Sequence, residues 1–226
     1  MGCECSDTML RSLFPSVDWT QRELVGFDLD GTLYDEFEFI RQAYEPIAAR
    51  FAVLGTRPAD LIYSTMLSRW LEKGSSYNRL FDEVLRESGV PERDIARAIE
   101  EAVQTFRTCK PKLVLPSRVS HLLDLISEGR NIFLVTDGQP ELQWAKITAL
   151  GLSRWIQRKN IAVSGEYGPD YRKPSTRLLE KLPVFPQTRQ TPQGIYFGDR
   201  PVDEGFAANA GLVFIKVHCM VPVGEG

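Results

Sequence analysis

The chain has 226 residues, 43% of them hydrophobic and 25% charged, and its 27 Lys plus Arg stand against 30 Asp plus Glu for a formal net charge of -3. That length is enough to bury a full core in one large domain or in a main domain with a smaller partner. The acidic balance argues against stable binding to a nucleic-acid backbone, but a local cationic cluster inside an acidic protein still allows a small anionic substrate.

The chain opens on Met1-Gly2-Cys3-Glu4-Cys5-Ser6, which fits the N-myristoylation pattern with two cysteines placed for palmitoylation. No polybasic cluster follows to supply a second membrane signal, so we expect a frayed, unmodified start. The cysteines, at 3, 5, 109 and 219, form no disulfide framework in a chain this long, and Cys3 with Cys5 is too small a set for zinc. A reducing, cytoplasmic compartment is expected. No apolar run reaches the roughly 18 residues needed to cross a bilayer, and no signal-peptide segment is visible.

Short apolar runs then recur, each ending in a small or polar residue: "LVGF" before Asp28, "IFLV" before Thr136, "IAV" before Ser164, "IYF" before Gly198, and "LVFIKV" near the end. Unbroken apolar runs suit strands buried on both faces. Helical patterns lie between the later runs. One is "PELQWAKITALG", with Leu142, Ala145 and Leu150 near helical spacing and Gly151 as a stop; another is "VDEGFAANAG", stopping at Gly211. The alternation predicts an α/β fold, a doubly wound, mostly parallel sheet with helices on both faces. Between the first two strands, residues 34–115 show no convincing strand. Ile40, Tyr44, Ile47, Phe51 and Leu54 trace one helical face, while Leu80, Val84 and Leu85 and then Ile95, Ile99 and Val103 trace others. This reads as a small helical domain inserted into an α/β core made of 1–33 and 116–226, with hinges at 34–38 and 108–116. The tail "VPVGEG" is expected to be loose.

In an open parallel sheet, ligands bind at the carboxyl ends of the strands. Four of the apolar runs lead there into Asp28 and Asp30, into Thr136, into Lys173 about ten residues past its strand, and into Asp199. An ionised aspartate can attack a phosphate and form an acyl-phosphate, whereas a serine would first need an activating base. The attack faces charge repulsion, so the site needs positive charge, which Lys173 and a magnesium ion would supply. Asp28 and Asp199 offer the carboxylates that magnesium prefers. Thr136 can donate its hydroxyl to a phosphoryl oxygen, and backbone N–H groups around Asp30, Gly31, Asp137 and Gly138 can complete the cradle. Asp30, two residues after Asp28, is placed to protonate a leaving alkoxide and later to take a proton from water.

"DLDGT" at 28–32, "VTDG" around Thr136, "RKP" around Lys173 and "GDRPVD" at 198–203 resemble, in order, the four motifs of the haloacid dehalogenase superfamily. The resemblance spans about residues 24 to 212. It implies Asp28 as nucleophile, Asp30 as acid/base, Thr136 and Lys173 as phosphate ligands, and Asp199 as a magnesium ligand. Asp203 is implied to support the metal or Lys173, so that the expected metal set is Asp28, Asp30, Asp199 and Asp203. It also implies that the helical insertion is a cap closing over the substrate. Dehalogenases of this superfamily lack the second aspartate that its phosphatases and phosphomutases carry, so Asp30 favours phosphoryl chemistry. "VTDGQPELQWAKITALGL" is further similar to a stretch of capped phosphatases acting on acylneuraminate 9-phosphate or nucleoside monophosphates, which usually have Asn where this chain has Asp137.

The expected activity is therefore magnesium-dependent hydrolysis of a small phosphomonoester through an aspartyl-phosphate on Asp28. Two alternatives stay open: a phosphomutase, which would release no inorganic phosphate, and a binding protein that keeps the fold without catalysis. Tyr34, Arg41, Arg69, Trp70, Lys73, Asn78 and Arg79 are candidate substrate contacts from the cap, and His121 and His218 are read as structural. No P-loop, zinc-protease helix or serine nucleophile elbow is present.

Overall fold

The computed structural model describes residues 2–185 and 193–217, with side chains from Ser6 onward. The acylation pattern at the extreme start, His218, Cys219 and the "VPVGEG" tail fall wholly or largely outside what is described. Among the described residues no helix is long and apolar enough to cross a membrane.

The five described strands are β1 (Leu24–Phe27), β2 (Asn131–Thr136), β3 (Ile161–Val163), β4 (Gly194–Gly198) and β5 (Val213–Lys216). They pair in parallel in the order β3-β2-β1-β4-β5. β1 lies between β2 and β4, with Leu24 opposite both Asn131 and Gly194. The chain thus begins at the sheet centre, runs out through β2 and β3, and returns to the other side of β1. This puts the switch point between β1 and β4, where an open α/β sheet forms its ligand crevice. β1 and β4 are buried throughout, as their unbroken apolar runs require. Phe27 stacks on Phe197 across the two strands, ring centres 4.9 Å apart.

The flanking helices of this unit are α1 (Gly2–Leu13), α6 (Ser117–Ser127), α7 (Pro140–Ala149) and α8 (Pro201–Ala210). The start is not frayed as expected: α1 buries Leu10, Ser6 Oγ donates to Glu128, and Asp7 pairs with Arg130 at 2.5 Å. Two expectations about periodicity need correction. The buried face of α7 is Leu142, Gln143, Lys146 and Ile147, with Ala145 only half-buried, so two polar residues stand where an apolar count passes over them. Between β3 and β4 the described chain contains short 3-10 turns and no α-helix, because Gly165, Gly168, Pro169, Pro174 and Pro183 interrupt any helical run.

The chain divides into two compact units, Met1–Glu36 with Leu113–Gly226, and Phe37–Lys112. The second unit is helical among α2 (Glu36–Leu54), α3 (Ala59–Lys73), α4 (Leu80–Glu87) and α5 (Glu92–Arg107). Its core is aromatic: Phe39 meets Phe106 edge-on at 5.1 Å, and Phe51 meets Phe81 at 6.1 Å. On α5 the buried stripe is Ile95, Ala98 and Ala102, while Ile99 and Val103 sit half-buried beside it.

Candidate active site

β1 delivers Asp28 to the centre of the sheet edge. Its backbone N–H donates to Phe197 O at 2.9 Å, carrying the β1–β4 ladder one residue past the strand. The Asp28 side chain is buried; Lys173 Nζ donates to its Oδ1, and Thr32 Oγ1 lies 3.4 Å from Oδ2. The loop then turns at Gly31, whose φ of +74° disfavours any side chain. A Cβ there would stand 2.5 Å from Asp199 Oδ2, so a side chain at this position would have to displace the Asp199 carboxylate.

Lys173 comes from the loop beyond β3, and its ammonium is fully buried between Asp28 and Asp203, 2.5 Å from Asp203 Oδ1 and 3.5 Å from the Tyr196 hydroxyl. Burial alone would lower its pKa, but Asp28, Tyr196, Asp203 and Asp137 overcome that and hold it well above the usual lysine value. Asp203 lies in the first turn of α8, where its Oδ2 accepts the Arg200 N–H at 3.0 Å. A Cβ on Gly198 would fall 2.4 Å from Asp203 Cβ, so a glycine ending β4 is what allows this turn to fold back toward Lys173. Burial pushes the Asp28 carboxyl up to about 7, and Asp203 adds to the rise although Lys173 and Arg200 oppose it. Asp199 is likewise raised, first by burial.

Asp30 sits in a different environment two residues on. Lys146 Nζ donates to its Oδ1 at 2.6 Å, the Tyr34 hydroxyl donates to the same oxygen, and Gln143 Nε2 donates to Oδ2 at 2.8 Å. Burial would raise this carboxyl, but the Lys146 charge and the three donors hold it below the ordinary 3.8. Two aspartates two residues apart in the loop are therefore driven in opposite directions, as acid/base pairs in active sites are.

β2 ends on Thr136, buried, with its Oγ1 accepting from Gln143 Nε2 at 2.7 Å. The Asp137 carboxylate, which would repel a phosphate if it faced one, accepts the Lys173 backbone N–H at 3.2 and 3.4 Å, and so helps hold the lysine loop. Gly138 follows directly, before α7 begins at Pro140.

Asp28, Asp199 and Asp203 each present one carboxylate oxygen within 4.8 Å of the others. Asp199 Oδ1 is buried and accepts no hydrogen bond; the Arg200 Nε lies 3.7 Å away. Three carboxylates face two cationic side chains, Lys173 and Arg200, with Asp199 and Arg200 partly exposed, an excess of acidic groups that a further cation would offset. The donor set is all oxygen, as a hard divalent cation requires. Of the four residues expected to hold metal, the structure brings three together, whereas the Asp30 carboxylate is turned to Lys146, Gln143 and Tyr34.

Sequence reasoning passed over Gln143, Lys146 and Tyr196. The available signal was a Gln and a Lys three apart on the inner face of a helix that follows a motif loop. Tyr34, expected among the cap-side contacts, is instead buried against Asp30 in the α/β unit. Arg69 is engaged with Glu83 and Glu87, each at 2.9 Å, and Trp70 packs on Phe37 with ring centres 5.8 Å apart. Lys73 pairs with Glu72, and Arg41, Asn78 and Arg79 are exposed, as is His121.

Residues 23–211 match the family of haloacid dehalogenase-like hydrolases. Among curated proteins, the chain is 27% identical over 201 residues to glyceraldehyde 3-phosphate phosphatase of Methanocaldococcus jannaschii, covering 84% of this chain and 82% of that protein. The same enzyme of Methanothermobacter thermautotrophicus is 29% identical, covering 70% and 68%. Among solved structures, a HAD-superfamily hydrolase of subfamily IA from Geobacter sulfurreducens shares the fold with a TM-score of 0.64 at 18% identity, covering 89% of this chain and 90% of that one. A 2-haloacid dehalogenase from Pseudomonas syringae does so at 0.53 and 22% identity, covering 91% and 89%. One fold therefore spans more than one activity, and the chemistry has to be argued from the site.

Proposed function

The chain belongs to the haloacid dehalogenase-like hydrolase family, and from that premise we propose that it is a magnesium-dependent phosphatase that hydrolyses a small phosphomonoester through an aspartyl-phosphate on Asp28. The observation that carries this reading is Asp30: a second carboxylate, two residues after the first, held by three donors next to the Thr136 hydroxyl. A reaction that only displaces halide needs no such group, whereas a phosphomonoester has an alkoxide to protonate and a water to deprotonate.

Asp28 attacks phosphorus through a carboxylate oxygen, and the bond from phosphorus to the leaving alkoxide breaks. Asp30 gives that alkoxide its proton. Water then attacks the aspartyl-phosphate, Asp30 takes the water proton, and the bond from phosphorus to the Asp28 oxygen breaks to release phosphate. Lys146 and the three donors favour the ionised form of Asp30. An arriving phosphate dianion raises its pKa, so substrate binding itself favours loading the proton that the first step spends. Lys173 offsets the charge that builds at the phosphoryl oxygens, and Thr136 donates its hydroxyl to one of them. Asp28, Asp199 and Asp203 would hold magnesium, which supplies Lewis-acid charge to the phosphoryl group.

The relatives named as glyceraldehyde 3-phosphate phosphatases make a triose phosphate the first substrate class to try. The helical unit, residues 37–112, is read as the cap that selects the substrate. A small phosphorylated metabolite as substrate fits a cytoplasmic enzyme.

The test is phosphate release from triose phosphates, other sugar phosphates, acylneuraminate 9-phosphate, nucleoside monophosphates and phosphoglycolate, with and without magnesium, and with Asp28→Asn alongside. Magnesium-dependent release that vanishes in the variant supports the reading. Conversion of one sugar phosphate into another without free phosphate would replace it with a mutase, and a folded chain silent on the whole panel would overturn it.

A further inference from the structure

We propose that Gln143 and Lys146, on the inner face of α7, are positioning residues that aim the Asp30 carboxylate and the Thr136 hydroxyl at the phosphoryl group. This rests on the phosphatase reading and adds to it a second layer of side chains outside the four motifs.

A helix does not bury a glutamine and a lysine without a use for them, since both lose hydration that an apolar residue would not have had. Gln143 and Lys146 are only 2% and 3% exposed, and their three-residue spacing sets them side by side on one face. Lys146 Nζ donates to Asp30 Oδ1, and Gln143 Nε2 donates to Asp30 Oδ2. Each oxygen of the carboxylate thus has its own donor from the same helix, with Tyr34 as an additional donor to Oδ1. Rotating the carboxylate would break at least one of these bonds, so its plane is set by α7.

The Gln143 amide also fixes the threonine. Its two N–H protons are shared among three oxygens, Asp30 Oδ2 at 2.8 Å, Thr136 Oγ1 at 2.7 Å and Asp137 O at 2.9 Å, while its Oε1 is buried without a hydrogen-bond partner. Turning the amide over would point that carbonyl oxygen at the Asp30 carboxylate, acceptor against acceptor, so Asp30 holds the NH2 group in place. A hydroxyl whose oxygen accepts from Gln143 has to send its own proton elsewhere. On Thr136 that leaves the proton for a phosphoryl oxygen. One amide thereby orients both the group that moves the proton and a group that binds the phosphate.

The experiment uses the full chain with magnesium and compares Lys146→Met and Gln143→Leu with the wild type on two substrates. One is an alkyl phosphate, whose alkoxide needs a proton to leave; the other is p-nitrophenyl phosphate, whose phenolate leaves without one. With the alkyl phosphate, kcat should fall about 100-fold, the scale of one general acid/base contribution. KM should change less than about threefold, because ground-state binding is not what these residues supply. With p-nitrophenyl phosphate, Lys146→Met should give a rapid burst of one phenolate per site followed by slow turnover, since only the water step still needs Asp30.

Equal losses on both substrates without a burst, or a kcat within about twofold of wild type, would overturn the proposal. Should Lys146→Met fail to fold, Gln143→Leu and Tyr34→Phe carry the same comparison, each removing one Asp30 donor. A wild-type chain that releases no phosphate from any substrate overturns the phosphatase reading and this inference with it; an active wild type with indifferent variants overturns this inference alone.

Discussion

The Lys173 ammonium lies 2.5 Å from Asp203 Oδ1, with both side chains wholly removed from solvent and Asp28 on the same nitrogen. One cation therefore sits between a carboxylate at the end of β1 and one in the first turn of α8, and its removal leaves two buried carboxylates facing each other. Lys173→Met should lower stability by about 3–5 kcal/mol in metal-free buffer, the usual cost of breaking a buried ion pair. Urea unfolding in EDTA would measure it. Adding Asp203→Asn should return part of the loss; an unchanged double variant would show that repulsion between the carboxylates is not the cause.

Asp28 makes metal-free stability depend on pH. Its pKa is raised from 3.8 to about 7 in the fold, chiefly by burial, so the native state holds this proton more tightly than the unfolded chain does. The contribution is fully present below pH 3.8 and is lost as pH rises through about 7. Thermal unfolding in EDTA from pH 4 to 8 should show this decline in the wild type and lack that component in Asp28→Asn. Parallel curves for the two proteins would refute it.

Magnesium should stabilise the fold through the three-carboxylate cluster of Asp28, Asp199 and Asp203. At a hundredfold excess over Kd the gain is about 2.7 kcal/mol, read as a rise in Tm. Asp199→Asn neutralises the carboxylate whose Oδ1 has no hydrogen-bond partner and should abolish most of the rise. A full magnesium shift in that variant would place the cation elsewhere.

Gly31→Ala should separate metal binding from folding. A side chain at φ +74° costs about 1–2 kcal/mol of backbone strain, a loss that most folds survive. The added Cβ also meets Asp199 Oδ2 at 2.5 Å and must push it away from the cluster. The expected result is a folded protein that needs at least about tenfold more magnesium for half-maximal activity, the factor that 1.4 kcal/mol sets. A magnesium titration identical to wild type would mean that Asp199 is not a ligand.

Four of the described strands were legible because they are buried on both faces, whereas β5, expected to be buried like them from "LVFIKV", is an edge strand with Val213 and Lys216 exposed. "LVGF", "IFLV", "IAV" and "IYF" contain no polar residue to hide their limits, and each falls within the strand that the structure places there. The helical insertion was legible for a similar reason, since Ile40, Tyr44, Ile47 and Phe51 recur at helical spacing and are all buried. The 3-10 turns that carry Lys173 toward the site leave no period to read, so only their prolines and glycines were visible.

The sequence by itself determined the strand-ending residues Asp28, Thr136 and Asp199, because strand ends in a parallel sheet are set by local apolar runs and the polar residues that stop them. It also named Lys173 and Asp203, through motif order. Only the tertiary structure decided what surrounds them. Lys146 and Gln143 lie more than 100 residues from Asp30 along the chain, and nothing local distinguishes a buried lysine from the solvated ones that outnumber it. The same holds for Asp137, whose carboxylate turns to the Lys173 backbone. A side chain's partner is chosen by which elements the fold brings together, and that choice is not written in the residues next to it.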